Sequence, residues 1–408
     1  MQDAHDPYAA LRHRDFGLLL SSNVLAAMCA EAQFTVVEWE IYQRTGSYEM
    51  MGYGGLAQFL PLLFLALPAG QAADHFSRKA MLMLAHLTMG LASLGLALVS
   101  LSDGPVILIF VFLALAGVSR ALGMPARSSL IPLVVGPGDL GNAVTWSSSG
   151  WQIAAVAGPT LGGFLAFEPA AAYFGTMGGL FVCILLVSIM TPRDTAPPPE
   201  ARSFGALLAG IQFVWSTELL LAAITLDLFA VLFGGCTALL PAYCQEILNV
   251  GETGFGLLRA APAIGAFIMA LVLAHRPPLE RPGRALLFSV VGFGCATIVF
   301  GLSENVYLSF VMLFLIGAFD NISVVIRGTL MQMLTPDDMR GRVAAVNSVF
   351  ISSTNQLGAF ESGMVAAWFN PVASVVGGGI ATIIVVVLAD LYWPKLRNLE
   401  PLHTLKNQ

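Results

Sequence analysis

Apolar runs of about twenty residues recur along nearly the whole chain, separated by short polar breaks. They fall near 16–42, 49–72, 80–101, 105–126, 141–167, 170–191, 219–243, 252–274, 284–303, 306–330, 341–367 and 370–393. Lipid offers backbone N–H and C=O groups no partner, so lipid-facing runs of this length fold as helices rather than open strands. About 20 apolar residues span a hydrocarbon core of about 30 Å. The pattern predicts an all-α membrane protein with twelve transmembrane helices.

The longest polar break runs from Thr191 to Ser203 and contains Pro197, Pro198 and Pro199. It follows the sixth span and divides the chain. The predicted organisation is a six-helix bundle over 1–192, a cytoplasmic linker over 193–217, a second six-helix bundle over 218–394 and a cytoplasmic tail over 395–408. Phe204 to Trp215 reads as a short amphipathic helix on the cytoplasmic surface; its other reading is an extension of the seventh span. A shift of 200 residues pairs Arg127 with Arg327, Leu130 with Leu330, Gly141 with Gly341, Ser148 with Ser348, Gly158 with Gly358 and Gly163 with Gly363. Such parallel repeats build transport sites near the bilayer midplane.

Composition agrees with burial in lipid. Of 408 residues 57% are hydrophobic and 11% charged, against roughly 25% charged in soluble domains. The net charge of −6 says little; the placement of the basic residues says more. Arg12, Arg14, Arg78, Lys79, Arg127, Arg193, Arg202, Arg276, Arg281, Arg284, Arg340, Arg342, Lys395, Arg397 and Lys406 fall in or beside loops on one side, and Arg44 and Arg259 on the other. The excess of positive charge marks the cytoplasmic side, so both termini are expected there, in an inner (plasma) membrane. The first apolar run is too long for a signal peptide. Five cysteines lie inside apolar runs without CxxC spacing, so no metal or cofactor is expected. No HExxH, P-loop, dinucleotide fingerprint or nucleophile elbow is present. The chain is thus not expected to be an enzyme or to use ATP itself.

Between the second and third spans stands Gly70-Gln71-Ala72-Ala73-Asp74-His75-Phe76-Ser77-Arg78-Lys79. It resembles the G-x-x-x-D-x-x-x-R-K loop of the major facilitator superfamily. Small residues allow close helix approach, Asp74 can accept from a helix N-terminus, and Arg78 and Lys79 hold the loop in the cytoplasm. The resemblance implies that Gly70, Asp74, Arg78 and Lys79 form a gating loop with Asp74 as its latch. The loop after span eight, His275-Arg276-Pro277-Pro278, lacks the acid. In span five Gly158-Pro159-Thr160-Leu161-Gly162-Gly163 resembles the G-P-x-x-G-G signature of exporters working by exchange. Pro159 removes a helix hydrogen bond, and Gly158 and Gly162 form a smooth packing face. Leu334 to Asn347, Met124-Pro125-Ala126-Arg127, Leu130-Ile131-Pro132 and Leu226-Asp227-Leu228-Phe229 with Leu240-Pro241 are similar to the enterobactin-exporter-like branch, over nearly the whole chain.

Charges at membrane depth cost roughly 2.5–3.5 kcal/mol each on insertion scales, which makes them candidates for function. Glu31 and Glu38 are seven residues apart on one face of span one. Glu31 is the first choice for a proton or cation; its other reading is a glutamate tied to a neighbouring helix. Glu38 lies beside Trp39 and Tyr42, which mark a membrane interface, and Glu40 is expected to be solvated. Asp227 in span seven reads equally as structural or functional. Arg120 and Asp320 correspond under the repeat and are expected to face a central cavity, with Asn321 beside them. Arg127 and Arg327 lie nearer the cytoplasmic mouth, as gate residues or as snorkelling anchors, with Arg340 and Arg342 as further gate candidates. Asn23, Gln33, Asn347, Asn355 and Gln356 add polar groups, and Trp146, Trp151, Phe229 and Phe233 are possible cavity walls or lipid-facing residues.

The expected function is secondary transport by rocking of two halves, most simply proton-coupled efflux of a small organic molecule such as a siderophore or drug. Protonation of Glu31 or Asp227 would alternate with substrate binding, each favouring opposite states. The expected partners are the substrate, protons and the bilayer, with no nucleic acid; a monomer suffices. An importer, a lipid transporter and a transport-inactive sensor or assembly partner are the alternatives.

Overall fold

The computed structural model describes residues 6, 8–192, 204–276, 280–336 and 339–399. The described residues form helices joined by short turns. In chain order these are α1 (Arg14–Thr45), α2 (Tyr48–His75), α3 (Arg78–Leu101), α4 (Val106–Val134), α5 (Leu140–Leu165) and α6 (Pro169–Ser188). Then follow α7 (Phe204–Ser216), α8 (Glu218–Phe233), a single turn α9 (Leu240–Ala242), α10 (Gly251–Ala274) and α11 (Pro282–Gly301). The last are α12 (Val306–Leu334), α13 (Arg340–Trp368), α14 (Pro371–Tyr392) and the short α15 (Pro394–Arg397). By length and composition, nine segments among the described residues can cross a membrane. Large apolar side chains such as Phe64, Phe181, Phe288 and Leu391 remain exposed on the helices, as a lipid-facing surface requires.

Local chemistry sets the helix starts. Ser77 Oγ accepts from the Ala80 N–H to cap α3. Asn305 Oδ1 accepts from Tyr307 and Leu308 to cap α12, and Asn370 caps α14 through Ala373. Proline occupies the first turn of α6, α11 and α14, where its missing N–H costs nothing.

Three elements depart from expectation. α4 runs to Val134 through Pro125 and Pro132, although its span was expected to end at 126. Hydroxyls of Ser128 and Ser129 donate back to the Pro125 carbonyl, the usual back-bond of a hydroxyl residue inside a helix. Arg127 therefore sits inside a helix, not in a loop. The seventh span is also not continuous to 243. α8 ends at Phe233; Gly234 and Gly235 follow, then a 3-10 turn (Cys236–Leu239), α9, and a π turn (Tyr243–Ile247). α7 is a separate helix from α8, broken at Thr217. The Pro-rich linker, from 193 to 203, lies outside the described residues.

The chain divides into two compact units, one of 1–40 with 57–201 and one of 41–56 with 202–408. One segment departs from a simple division of the chain: 41–56, the end of α1 and the start of α2, belongs to the second unit. In the first unit α3 packs on α4 and α6; in the second α11 packs on α12 and α14. The first core gathers Phe16, Leu19, Leu82, Leu130, Val134 and Val187. The second gathers Leu220, Leu226, Leu286, Leu330, Val386 and Leu396. Leu130 and Leu330, paired by the repeat, are both fully buried.

Glycine contacts repeat as well. A Cβ on Gly117 would stand 2.2 Å from the Gln58 carbonyl oxygen, and one on Gly317 1.8 Å from that of Pro262. Thus α4 meets α2, and α12 meets α10, backbone to backbone. A Cβ on Gly158 would stand 2.7 Å from Cβ of Glu31, and one on Gly358 2.9 Å from the Leu232 carbonyl oxygen. The same 200-residue shift therefore relates α5 against α1 to α13 against α8.

Candidate functional site

In the first unit the G-P-x-x-G-G face of α5 is pressed against α1. Gly158, Pro159, Gly162 and Gly163 are all buried. A Cβ on Gly162 would stand 2.5 Å from the Ala32 carbonyl oxygen, so only glycine lets the helices approach this closely. Glu31 lies at this contact. It is half-buried, and its carboxylate has no hydrogen bond or ion pair among the described residues. Among the described residues nothing ties the carboxylate to a neighbouring helix.

The upper part of α1 corrects the interface reading. Trp39 is 1% exposed and Glu40 2%, and Tyr173 donates to Glu40 Oε2 at 2.6 Å. Glu40 is thus held inside the protein, not solvated; aromatic position alone hid the packing of α6 on α1. Glu38 is buried as well. Gln33, also buried, accepts from the Ser93 hydroxyl.

Arg120 is half-buried on α4 and its NH1 donates to Gln58 Oε1 at 3.3 Å. One turn above, Gly117 allows the close approach of α2 that places Gln58 within reach. Deeper along α4, Arg127 has a buried Nε with no hydrogen-bond partner among the described residues.

The second unit brings opposite charges together. Arg327 NH1 on α12 pairs with Asp227 Oδ2 on α8, with side chains 5% and 9% exposed. Ser323 donates to the other oxygen, Asp227 Oδ1, at 3.4 Å. The snorkelling reading of Arg327 fails here: its charge is met inside the protein, not at the lipid headgroups. Beside the pair lies a cleft with room for about one water molecule. Its walls are Asp227, Ala230 and Val231 of α8, Val290 and Phe293 of α11, and Phe319, Asp320 and Ser323 of α12. Asp320 is half-buried and has no partner among the described residues. Asn321 is 5% exposed, and its Oδ1 also lacks one.

The loop motif is seen in part. Lys79 Nζ donates to the carbonyls of Ser188 and Met190, both at 2.7 Å, satisfying orphan acceptors at the end of α6. The cap of α3 falls to Ser77; the side chain of Asp74 lies outside the described residues, as do those of Arg340 and Arg342. Gly70 and Arg78 are half-buried. Trp151 is 47% exposed and Phe229 37%, and Phe229 stacks on Phe233 at 6.0 Å.

A family profile described as transmembrane secretion effector matches residues 5–406. The chain belongs to the major facilitator superfamily. This major facilitator protein is similar to the enterobactin exporter of Citrobacter koseri, 30% identical over 346 residues covering 84% of this chain and 82% of the relative. It is similar to that of Escherichia coli K12 at 28% over 347 residues, with the same coverage. Among solved structures, a bacterial homologue of the human lysosomal transporter Spinster aligns with TM-score 0.72 at 15% identity, covering 94% of this chain and 97% of its own. A POT family transporter in complex with 5-aminolevulinic acid gives 0.70 at 12%, covering 94% and 96%. At such identities the likeness concerns the fold. Membership makes the chain a multi-pass membrane transporter of a small-molecule substrate.

Sequence reasoning missed three parts of these surroundings. The Asp227–Arg327 pair was legible only as two expensive charges of opposite sign, each needing a partner. Gln58 and Tyr173 carried no signal beyond their type. The third is on the segment 41–56: Tyr42 donates to Glu246 Oε1 and Tyr48 to Glu246 Oε2 at 2.7 Å, so two phenols hold one carboxylate. Tyr42 is 3% exposed, so it too is packed in protein rather than marking an interface.

Proposed function

We propose that this transporter exports a siderophore-like or drug-like organic molecule across the inner membrane in exchange for protons, with Glu31 as the proton carrier. The observation that carries the reading is the Glu31 carboxylate, partnerless among the described residues where the exchange-type glycine face of α5 meets α1. A half-buried acid with no partner among the described residues points to function rather than to stability. The direction and substrate class draw support from the relatives named enterobactin exporters, at 28–30% identity over most of their length. In this reading halves 1–192 and 218–394 rock as a monomer with both termini cytoplasmic. Proton and substrate favour opposite states, which is what couples them. Asp227 is a weaker carrier than Glu31, because its charge is already matched by Arg327.

The test is transport in proteoliposomes under an imposed pH gradient, with siderophore-like and drug-like compounds, comparing wild type with Glu31→Gln. Gradient-driven flux that the variant loses is the expected result. Flux indifferent to both the gradient and Glu31 would overturn the coupling scheme.

A further inference from the structure

The second unit holds three ionisable groups that the exchange at Glu31 does not use. Asp227, Asp320 and Arg327 come from two helices, α8 and α12, and both carboxylates line the same water-sized cleft. Under the repeat the cleft reaches the position of Glu31 on the other unit's first helix. Val231, the counterpart of Glu31, is one of its walls, and Asp320 is the counterpart of Arg120. The second unit thus carries its extra acid on α12 where the first carries it on α1.

Arg327 serves only one of the two acids. With all three groups ionised the cluster carries one net negative charge, and one bound proton makes it neutral. A net charge inside a membrane protein is costly, and like charges on one cleft oppose simultaneous ionisation. No ion pair to Asp320 is seen from the other elements packed on α12 among the described residues. The α11 wall is apolar, Val290 and Phe293, and the ionisable groups of α11, Arg284 and Cys295, are exposed. On α10, Pro262 and Gly265 make the contact; Arg259 donates to the Thr237 carbonyl, Glu252 is at the start of that helix and His275 just past its end. On α13, Glu361 Oε2 accepts from Ser362, and the side chains of Arg340 and Arg342 lie outside the described residues.

We propose that Asp320 is a second proton-exchange site, in the unit opposite Glu31, with the Asp227–Arg327 pair as the fixed charge against which it loads and releases its proton. The cleft has room for the single water that would carry that proton. The inference rests on the exchange reading above for its role in transport, but not for its existence. Asp320 exchanges a proton whether or not a substrate is known.

The experiment is infrared difference spectroscopy of the full-length protein in lipid nanodiscs, titrated in pH without substrate, following the C=O band of protonated carboxylic acids and its shift in D2O. Wild type is expected to show a titrating acid band that Asp320→Asn removes and Glu31→Gln leaves in place. Asp320→Glu, which keeps an acid if the amide variant fails to fold, is expected to retain the band at a shifted frequency. Every wild-type acid band surviving in folded Asp320→Asn, or an unshifted band in Asp320→Glu, overturns the proposal. Loss of flux in Glu31→Gln bears on the carrier in the first unit and leaves this spectrum untouched, so the two readings fail separately.

Discussion

Arg127 on α4 and Arg327 on α12 hold the same place in the two repeats, and their surroundings differ. Arg327 meets Asp227 and is almost wholly buried. Arg127 has no such acid at the matching position, which is Ala27, and it is only half-buried. The partnerless acids differ in the same way: Glu31 stands on α1 against glycine, Asp320 on α12 beside an ion pair. The two repeats share the backbone contacts, Gly117 with Gly317 and Gly158 with Gly358, while their charges differ. Helix packing is constrained on every side by neighbouring backbone, whereas a polar cleft can be re-equipped one side chain at a time.

The largest effect should come from splitting the pair. Asp227→Asn strands a buried guanidinium and is expected to cost about 3–5 kcal/mol, seen as a large fall in unfolding temperature in detergent. Asp227→Leu combined with Arg327→Leu should recover most of it, and Arg127→Leu should cost clearly less. Equal losses for Arg127→Leu and Asp227→Asn would break the comparison. Next come the glycines: Gly117→Ala and Gly317→Ala should each cost about 1–3 kcal/mol by overpacking. The second should be the worse, because its Cβ would meet a carbonyl oxygen at 1.8 Å rather than 2.2 Å; thermal unfolding of the two variants side by side checks the order.

Smaller still is Lys79→Met, which removes a cation from the end of α6. A loss of about 0.3–1 kcal/mol is expected, and hydrogen exchange should rise at the last turn of α6. Smallest is Glu31→Gln, expected within about 0.5 kcal/mol of wild type in the same unfolding assay. A marked loss of stability there would mean that Glu31 has a structural partner after all.

Most helix positions were legible because lipid makes long apolar runs fold one way only. Errors came at prolines and glycines. α4 runs on past Pro125 to Val134, and Gly234-Gly235 stop α8 early. At the site, Gly158 and Glu31 were legible separately, one from a motif and one from its cost; their contact was not. The mate of Asp227 is one hundred residues away, and no local periodicity encodes a pairing at that range. Glu40 misled because Trp39 and Tyr42 resemble a headgroup belt in sequence, while the fold places Tyr173 beside Glu40 and Glu246 beside Tyr42.

The same distance along the chain has a cost during synthesis. At about 5–20 residues per second, α12 leaves the ribosome several seconds after α8. For that interval Asp227 sits in the insertion machinery or the bilayer without its arginine, at roughly 2.5–3.5 kcal/mol on insertion scales. The second unit must therefore be born with an unmet acid and closed late. The biogenesis of this half depends on whatever shelters α8 until Arg327 arrives.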